Sequence, residues 1–238
     1  MDFNSRVINF DYRFTDLEDE IILYIEKNRE EIIQSKIVDL ARLFFTVPNT
    51  ITRLCHKLEY YGFLELKKAL KQELESYDEA KVPQEILLFK NLELIDKARE
   101  KKVVQLLKDA SKVNFFSVGS TAHATRIVVD NFDAVDYKFF FYAYEHELRH
   151  KIETANNELF FFVSLSGEIE PLLSLAVQAR ERGHIVITLT GLSNNFLARL
   201  ADISLFCYAP KRIMNNVNIT DKTPLLIIMD SLLQEYAE

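Results

Sequence analysis

A chain of 238 residues with 48% apolar and 27% charged side chains can bury one large core or two modest ones, and it contains no apolar run long enough to span a membrane. Two cysteines, Cys55 and Cys207, sit inside apolar periodic stretches and read as small core hydrophobes. The five histidines, His56, His123, His146, His150 and His184, recur with no cysteine or carboxylate at zinc-ligand spacing, so neither a metal nor a cofactor is expected. The net charge of −7 argues against indiscriminate nucleic-acid binding, but Ser35 to Gln72 holds seven basic residues against three acidic ones, leaving −11 for the remainder.

The opening segment MDFNSRVINFDYRF lacks a basic start followed by an apolar core and a cleavage site, which predicts a cytoplasmic protein. At Thr15-Asp16-Leu17-Glu18 the hydroxyl and the second carboxylate are spaced to satisfy free amides at a helix start, and Leu17, Ile21, Tyr24, Ile25 and Asn28 follow at helical spacing. A second helix places Ile37, Leu40, Ala41 and Phe44 on one stripe and ends near Phe45. A third starts at Pro48, whose fixed φ suits a first helical position, and buries Ile51, Leu54, Cys55 and Leu58. Its other face carries Asn49, Thr52, Arg53, His56 and Lys57.

Only Phe45 to Val47 separate the second and third helices, a spacing that fits a tight helix-turn-helix connection. Gly62 stops the third helix, and Phe63 to Glu75 resumes as a lysine-rich helix. The spacing therefore predicts an all-α DNA-binding domain over residues 1–77, a linker over 78–83 and a second domain over 84–238.

After a long helical segment from Gln84 to Ala110 the period changes. The runs VNFFSV, YKFFFYA, ELFFFVSL, HIVITLT and ISLFCY alternate with amphipathic stretches, predicting five parallel strands with helices on both faces, and Asp221 to Tyr236 reads as a last helix. With the flavodoxin-like order 2-1-3-4-5, the loops after the first and third strands converge on one crevice at the reversal of strand order. Those loops supply Gly119, Ser120 and Thr121, and Ser164, Ser166, Gly167 and Glu168. Hydroxyls, glycines and helix N-termini together suit a phosphate monoester, although the same serines could simply cap helices. No Walker pattern occurs, so nucleotide hydrolysis is not expected.

The segments Ile37-Val38-Asp39-Leu40-Ala41, Thr50 to Leu58 and Gly62 to Lys67, with Ser164 to Glu168 and Leu197 to Asp202, resemble the RpiR (MurR/RpiR) regulators over roughly Phe14 to Pro210. That family joins an N-terminal helix-turn-helix to a sugar isomerase (SIS) domain. The resemblance implies a regulator of carbohydrate metabolism genes, modulated by a phosphorylated sugar and working as a homodimer or dimer of dimers on duplex DNA. Asn49, Thr50, Thr52, Arg53, His56 and Lys57 would then face the operator. The departures are Phe45 and Glu59 where the family has glycine, Val47 for a serine cap, Ser117 for the first glycine of its loop, Thr121 for a serine and Ile169 for a threonine. Ile169 removes one phosphate donor, which leaves open a non-binding SIS domain. A sugar-phosphate isomerase using Glu145, His146 or Glu168 as base is the rival reading, and a protein-binding subunit a third; the +4 segment on a helix-turn-helix spacing speaks against both.

Overall fold

The computed structural model describes residues 3–8, 10, 14–76, 82–215 and 217–238. They form two compact units, one all-helical and preceding Val82, the other α/β and running from Val82 to Glu238. The expected linker falls largely on residues 77–81, outside the described residues.

The first unit contains α1 (Phe3–Ile8), α2 (Asp16–Lys27), α3 (Arg29–Gln34), α4 (Ile37–Leu43), α5 (Pro48–Lys57) and α6 (Phe63–Ser76). The capping box at Thr15 forms as expected, with Glu18 N–H donating to the Thr15 hydroxyl and Thr15 N–H to the Glu18 carboxylate. What reads as one helix from Thr15 is two, because Asn28 turns out of the helical region and its side chain donates back to the Tyr24 carbonyl. Ile21, Ile22, Ile25, Leu40, Ala41, Ile51, Leu54, Cys55 and Leu58 close one core.

Two turns depart from ordinary chemistry. At Phe45, N–H groups of Phe45 and Thr46 donate to the Arg42 and Ala41 carbonyls, and at Glu59 those of Glu59 and Tyr60 donate to His56 and Cys55. The same pattern, a helix closed by one left-handed residue, recurs at Gly183. Gly183 adopts its φ of +79° without a Cβ penalty, whereas Phe45 at +51° and Glu59 at +59° incur about 1–2 kcal/mol each. The backbone geometry is thus the glycine geometry, held without glycine by the packed helices on either side. Phe45 is 99% exposed, so its ring adds no packing, and Phe45→Gly should stabilise the unit by about 0.5–1 kcal/mol in urea denaturation, since relief of strain outweighs the added freedom of the unfolded chain; a loss of stability would show that the strain is the smaller of the two.

The second unit runs α7 (Gln84–Glu93), α8 (Lys97–Asp109), β1 (Val113–Phe116), α9 (Ser120–Val135), β2 (Phe139–Tyr142), α10 (Glu145–Thr154), β3 (Leu159–Ser164), α11 (Glu170–Glu181), β4 (Ile185–Gly191), α12 (Phe196–Leu200), β5 (Ile203–Cys207), a small hairpin of β6 (Ile213–Met214) and β7 (Val217–Asn218), and α13 (Thr223–Ala237). The single helix expected from Gln84 to Ala110 breaks before Asp96, whose carboxylate accepts from the N–H groups of Ala98 and Arg99 and starts α8. The hairpin, α1 and α12 are too short for periodicity to reveal.

The five strands pair in parallel in the order β2-β1-β3-β4-β5. Alternate side chains enter two separate cores. Val113, Phe115, Phe139 and Phe161 pack against α8, α9 and α13 on one face, and Phe116, Phe160, Phe162 and Val186 against α10 and α11 on the other. This coverage of both faces is why the strands read as unbroken apolar runs. Cys207 belongs to the first of these cores and Cys55 to the helical unit, and burial pushes both thiols up to about 12.

Candidate DNA-reading helix and effector crevice

Helix α5 buries Ile51, Leu54 and Cys55 and turns the opposite side outward. Asn49, Arg53 and His56 are exposed, Thr50, Thr52 and Lys57 half-buried. Arg53 makes no hydrogen bond or ion pair among the described residues, so its guanidinium is available to an outside acceptor. Thr52 donates to the Pro48 carbonyl at 3.2 Å, Thr50 accepts from the Thr46 hydroxyl at 3.0 Å, and His56 meets the Tyr61 carbonyl at 3.2 Å. These contacts fix the face rather than extend it.

Lys57 is placed differently from the expectation. Its Nζ lies 2.6 Å from Glu18 Oε1, whose side chain is 9% exposed, and it approaches the Phe10 ring. The lysine ties α5 to α2, with its side chain 36% exposed. Burial pushes the Glu18 carboxyl up, but hydrogen bonds from Lys57 and Thr15 outweigh it, leaving Glu18 below its ordinary 4.5. A lowered folded value stabilises fully above the unfolded value and is lost as pH falls through the folded one. Glu18→Gln should therefore narrow the stability gap from wild type as pH drops from 7 to 3, in parallel urea titrations. Lys57→Ala should cost roughly 1–2 kcal/mol, less than a fully buried pair because the lysine is partly solvated.

In the second unit the strand order reverses between β1 and β3, and the loops that follow them converge there. Gly119, at φ +62°, precedes α9, and Ile169 precedes α11; neither start carries a side-chain cap. The serines are therefore not cap residues, and the α9 start presents amides with no side-chain acceptor. At the α11 start Pro171 removes one amide. Space beside Gly119 is open, and Ser120 and Thr121 lie at the exposed start of α9.

The loop after β3 is internally bonded. Gly167 N–H donates to Ser164 Oγ at 3.1 Å, Glu168 N–H to Ser166 Oγ at 3.4 Å, and Phe196 N–H to Glu168 Oε1 at 3.4 Å. The amide of Gly167 is turned inward, so its lack of a Cβ serves packing rather than close approach of a ligand. A Cβ there would stand 1.9 Å from Asn195 Oδ1. The Ser164 and Ser166 hydroxyls lie 3.5 Å apart, so one donates to the other and a single hydroxyl proton is left for an outside acceptor, and Ser117, 1% exposed, has no hydroxyl partner among the described residues.

A third loop, after β4, was not foreseen as part of this site. Asn195 donates to Thr190 Oγ1 and to the Ser193 carbonyl, and accepts from Ala198 N–H at the start of α12. Gly191 N–H donates to the Leu165 carbonyl at 3.1 Å, and a Cβ on Gly191 would sit 2.4 Å from that oxygen. The signal in sequence was Ser193-Asn194-Asn195 before an apolar run, a helix start whose second partner only the fold supplies.

Of the candidate bases, Glu145 pairs with Arg149 on its own helix, His146 stacks on Tyr144, and Glu168 accepts from Phe196. No group of three or more His, Cys, Asp or Glu side chains that could hold a metal occurs among the described residues, and no described helix is long and apolar enough to cross a membrane.

Known proteins bear on both units. A family model described as "Helix-turn-helix domain, rpiR family" matches residues 1–77, and one described as "SIS domain" matches residues 106–233. The HTH-type transcriptional regulator GlvR of Bacillus subtilis is 24% identical, covering 98% of this chain and 95% of its own. An HTH-type transcriptional regulator of Clostridium perfringens is also 24% identical, over 94% and 88%. Among solved structures, the Vibrio vulnificus NanR protein complexed with ManNAc-6P superposes with a TM-score of 0.61 at 21% identity, covering 99% of this chain and 91% of that one. The sugar isomerase domain of an RpiR transcription factor from Sphaerobacter thermophilus gives 0.57 at 20%, over 63% and 83%. These structural likenesses establish the fold.

Proposed function

The chain belongs to the RpiR family of helix-turn-helix regulators carrying a SIS domain, and from that membership we propose that it controls carbohydrate metabolism genes by binding operator DNA through α5 and a phosphorylated sugar in the crevice between β1 and β3. The observation that carries the DNA half is Arg53, exposed and without a partner among the described residues, on a helix whose far side is core. An otherwise acidic chain thereby presents a cation to phosphates or base edges. Two such helices read half-sites one helical turn apart, so the working form is a homodimer or a dimer of dimers.

For the effector, the α9 start at Gly119, the hydroxyls of Ser120, Thr121, Ser164 and Ser166, and no lysine or arginine in either loop favour a monophosphate over a polyphosphate. Ile169 carries no hydroxyl, and the Ser117 hydroxyl just after β1 is buried without a partner among the described residues. NanR of Vibrio vulnificus was solved with ManNAc-6P, a ligand of this chemical class. Glu145 is paired with Arg149, His146 stacks on Tyr144 and Glu168 accepts from the Phe196 amide, an arrangement that favours a binding site over a catalytic one.

A sugar phosphate acts by its differential affinity for two arrangements of the dimer. An operator mobility shift titrated with a panel of hexose and pentose phosphates should change its midpoint at least several-fold for one of them, without consumption of the sugar. No response to any of them, with no ligand retained on dialysis, would leave the SIS unit a dimerisation platform only.

A further inference from the structure

Strand β2 forms one edge of the sheet, and its residues Phe139–Tyr142 are aromatic throughout, without the lysine, proline or bulge that usually blunts an edge. Val113 N–H donates to the Lys138 carbonyl, so that carbonyl faces β1, and by alternation the peptide groups of Phe139 and Phe141 face away from the sheet. A cavity of about 650 Å³ runs along this edge, floored by the four strand residues and walled by α9 on one face of the sheet and α10 on the other. The space is where another strand would lie.

The walls say which strand. On α9, Arg126 and Asp133 stand seven residues apart, two turns along one side of the helix; on α10, Glu147 precedes His150. Asp133 and Glu147 make no ion pair among the described residues, while Arg126 contacts Asp130 at 2.9 Å. A twofold axis perpendicular to the sheet would run each helix antiparallel to its own copy. That operation sets Arg126 against Asp133, each charge meeting its opposite twice, and brings Glu147 opposite His150.

We propose that a second copy of this chain occupies the groove, the two β2 edges pairing antiparallel about Phe140 to make one continuous ten-stranded sheet. Phe139 of each copy exchanges two hydrogen bonds with Phe141 of the other, and the two Phe140 rings, each 40% exposed in the single chain, form a cross-strand pair. The assignment rests on the homodimer reading above and names its surface.

Sedimentation equilibrium of the full chain tests it. Phe140→Asp, which places two carboxylates face to face at the axis, should raise the dimer dissociation constant at least about tenfold with an unchanged circular dichroism spectrum. Arg126→Asp and Asp133→Arg should each weaken the dimer, and the double exchange should return the constant to within about threefold of wild type, a rescue that loss of folding cannot mimic. A wild-type dimer that all three changes leave intact overturns the edge assignment while sparing the dimer. A chain that stays monomeric at concentrations where it binds operator overturns both.

Discussion

Gly167→Ala is expected to destabilise the α/β unit by roughly 2–5 kcal/mol, combining the left-handed backbone penalty with forced movement of Asn195. The two contributions are separable. Gly119 has nearly the same φ, +62° against +64°, but nothing within reach of an added Cβ, so Gly119→Ala should cost only about 1–2 kcal/mol. Asn195 holds the α12 start through Ala198 N–H and anchors the loop after β4 through Thr190 and Ser193. Pushing it aside therefore loosens two of the three loops that bound the crevice. In urea denaturation, Gly167→Ala/Asn195→Gly should be less destabilised than the sum of its single changes, because removing the whole side chain, including the Cβ that would stand 2.7 Å from the added one, makes room. Strict additivity would remove the steric account. Sugar-phosphate affinity, where measurable, should fall with Gly167→Ala, since the Ser164 to Glu168 loop is set by the same contact.

The second large effect is expected at Arg53. Arg53→Ala should weaken operator binding by about 1–3 kcal/mol, some 5- to 150-fold, without loss of stability, because the side chain is exposed and bonded to nothing described in its own chain. Fluorescence anisotropy at several salt concentrations distinguishes its partner. A base contact relaxes discrimination at one position of the site; a phosphate contact weakens all sequences alike and lowers the salt slope by about one. Lys57→Ala provides the contrast, since its main consequence falls on stability through Glu18. Unchanged operator affinity in Arg53→Ala would remove α5 from the interface.

The comparison of sequence with fold turns on how far a given signal reaches along the chain. The helix-turn-helix was legible because its spacing is local: α4 (Ile37–Leu43), a four-residue connection, then α5 (Pro48–Lys57). Glycine, however, proved an incomplete guide to backbone geometry. Phe45 and Glu59 take the left-handed conformation anyway, because buried residues of the helices on either side dictate the path and outweigh about 1–2 kcal/mol of strain at each. Lys57 was read as a cation on an outward face; helical periodicity reports a face but not a partner such as Glu18, 39 residues earlier.

The same division holds in the second unit. Alternation of apolar runs with amphipathic segments was enough for five parallel strands and for helices on both faces, since a parallel sheet needs crossovers, and the observed order is the flavodoxin-like one assumed for it. The serine and glycine residues at the crevice were identifiable by type, because a loop entering a helix N-terminus advertises itself in composition. What each of them does was decided by contacts across the fold. Gly167 is small for the sake of Asn195, Gly191 for the Leu165 carbonyl, and Glu168 answers the Phe196 amide. Period and composition act over a few residues and therefore determine which elements form and on which faces they are buried; partners brought together from 26 or more residues away depend on packing density and hydrogen-bond satisfaction, which only the assembled chain decides.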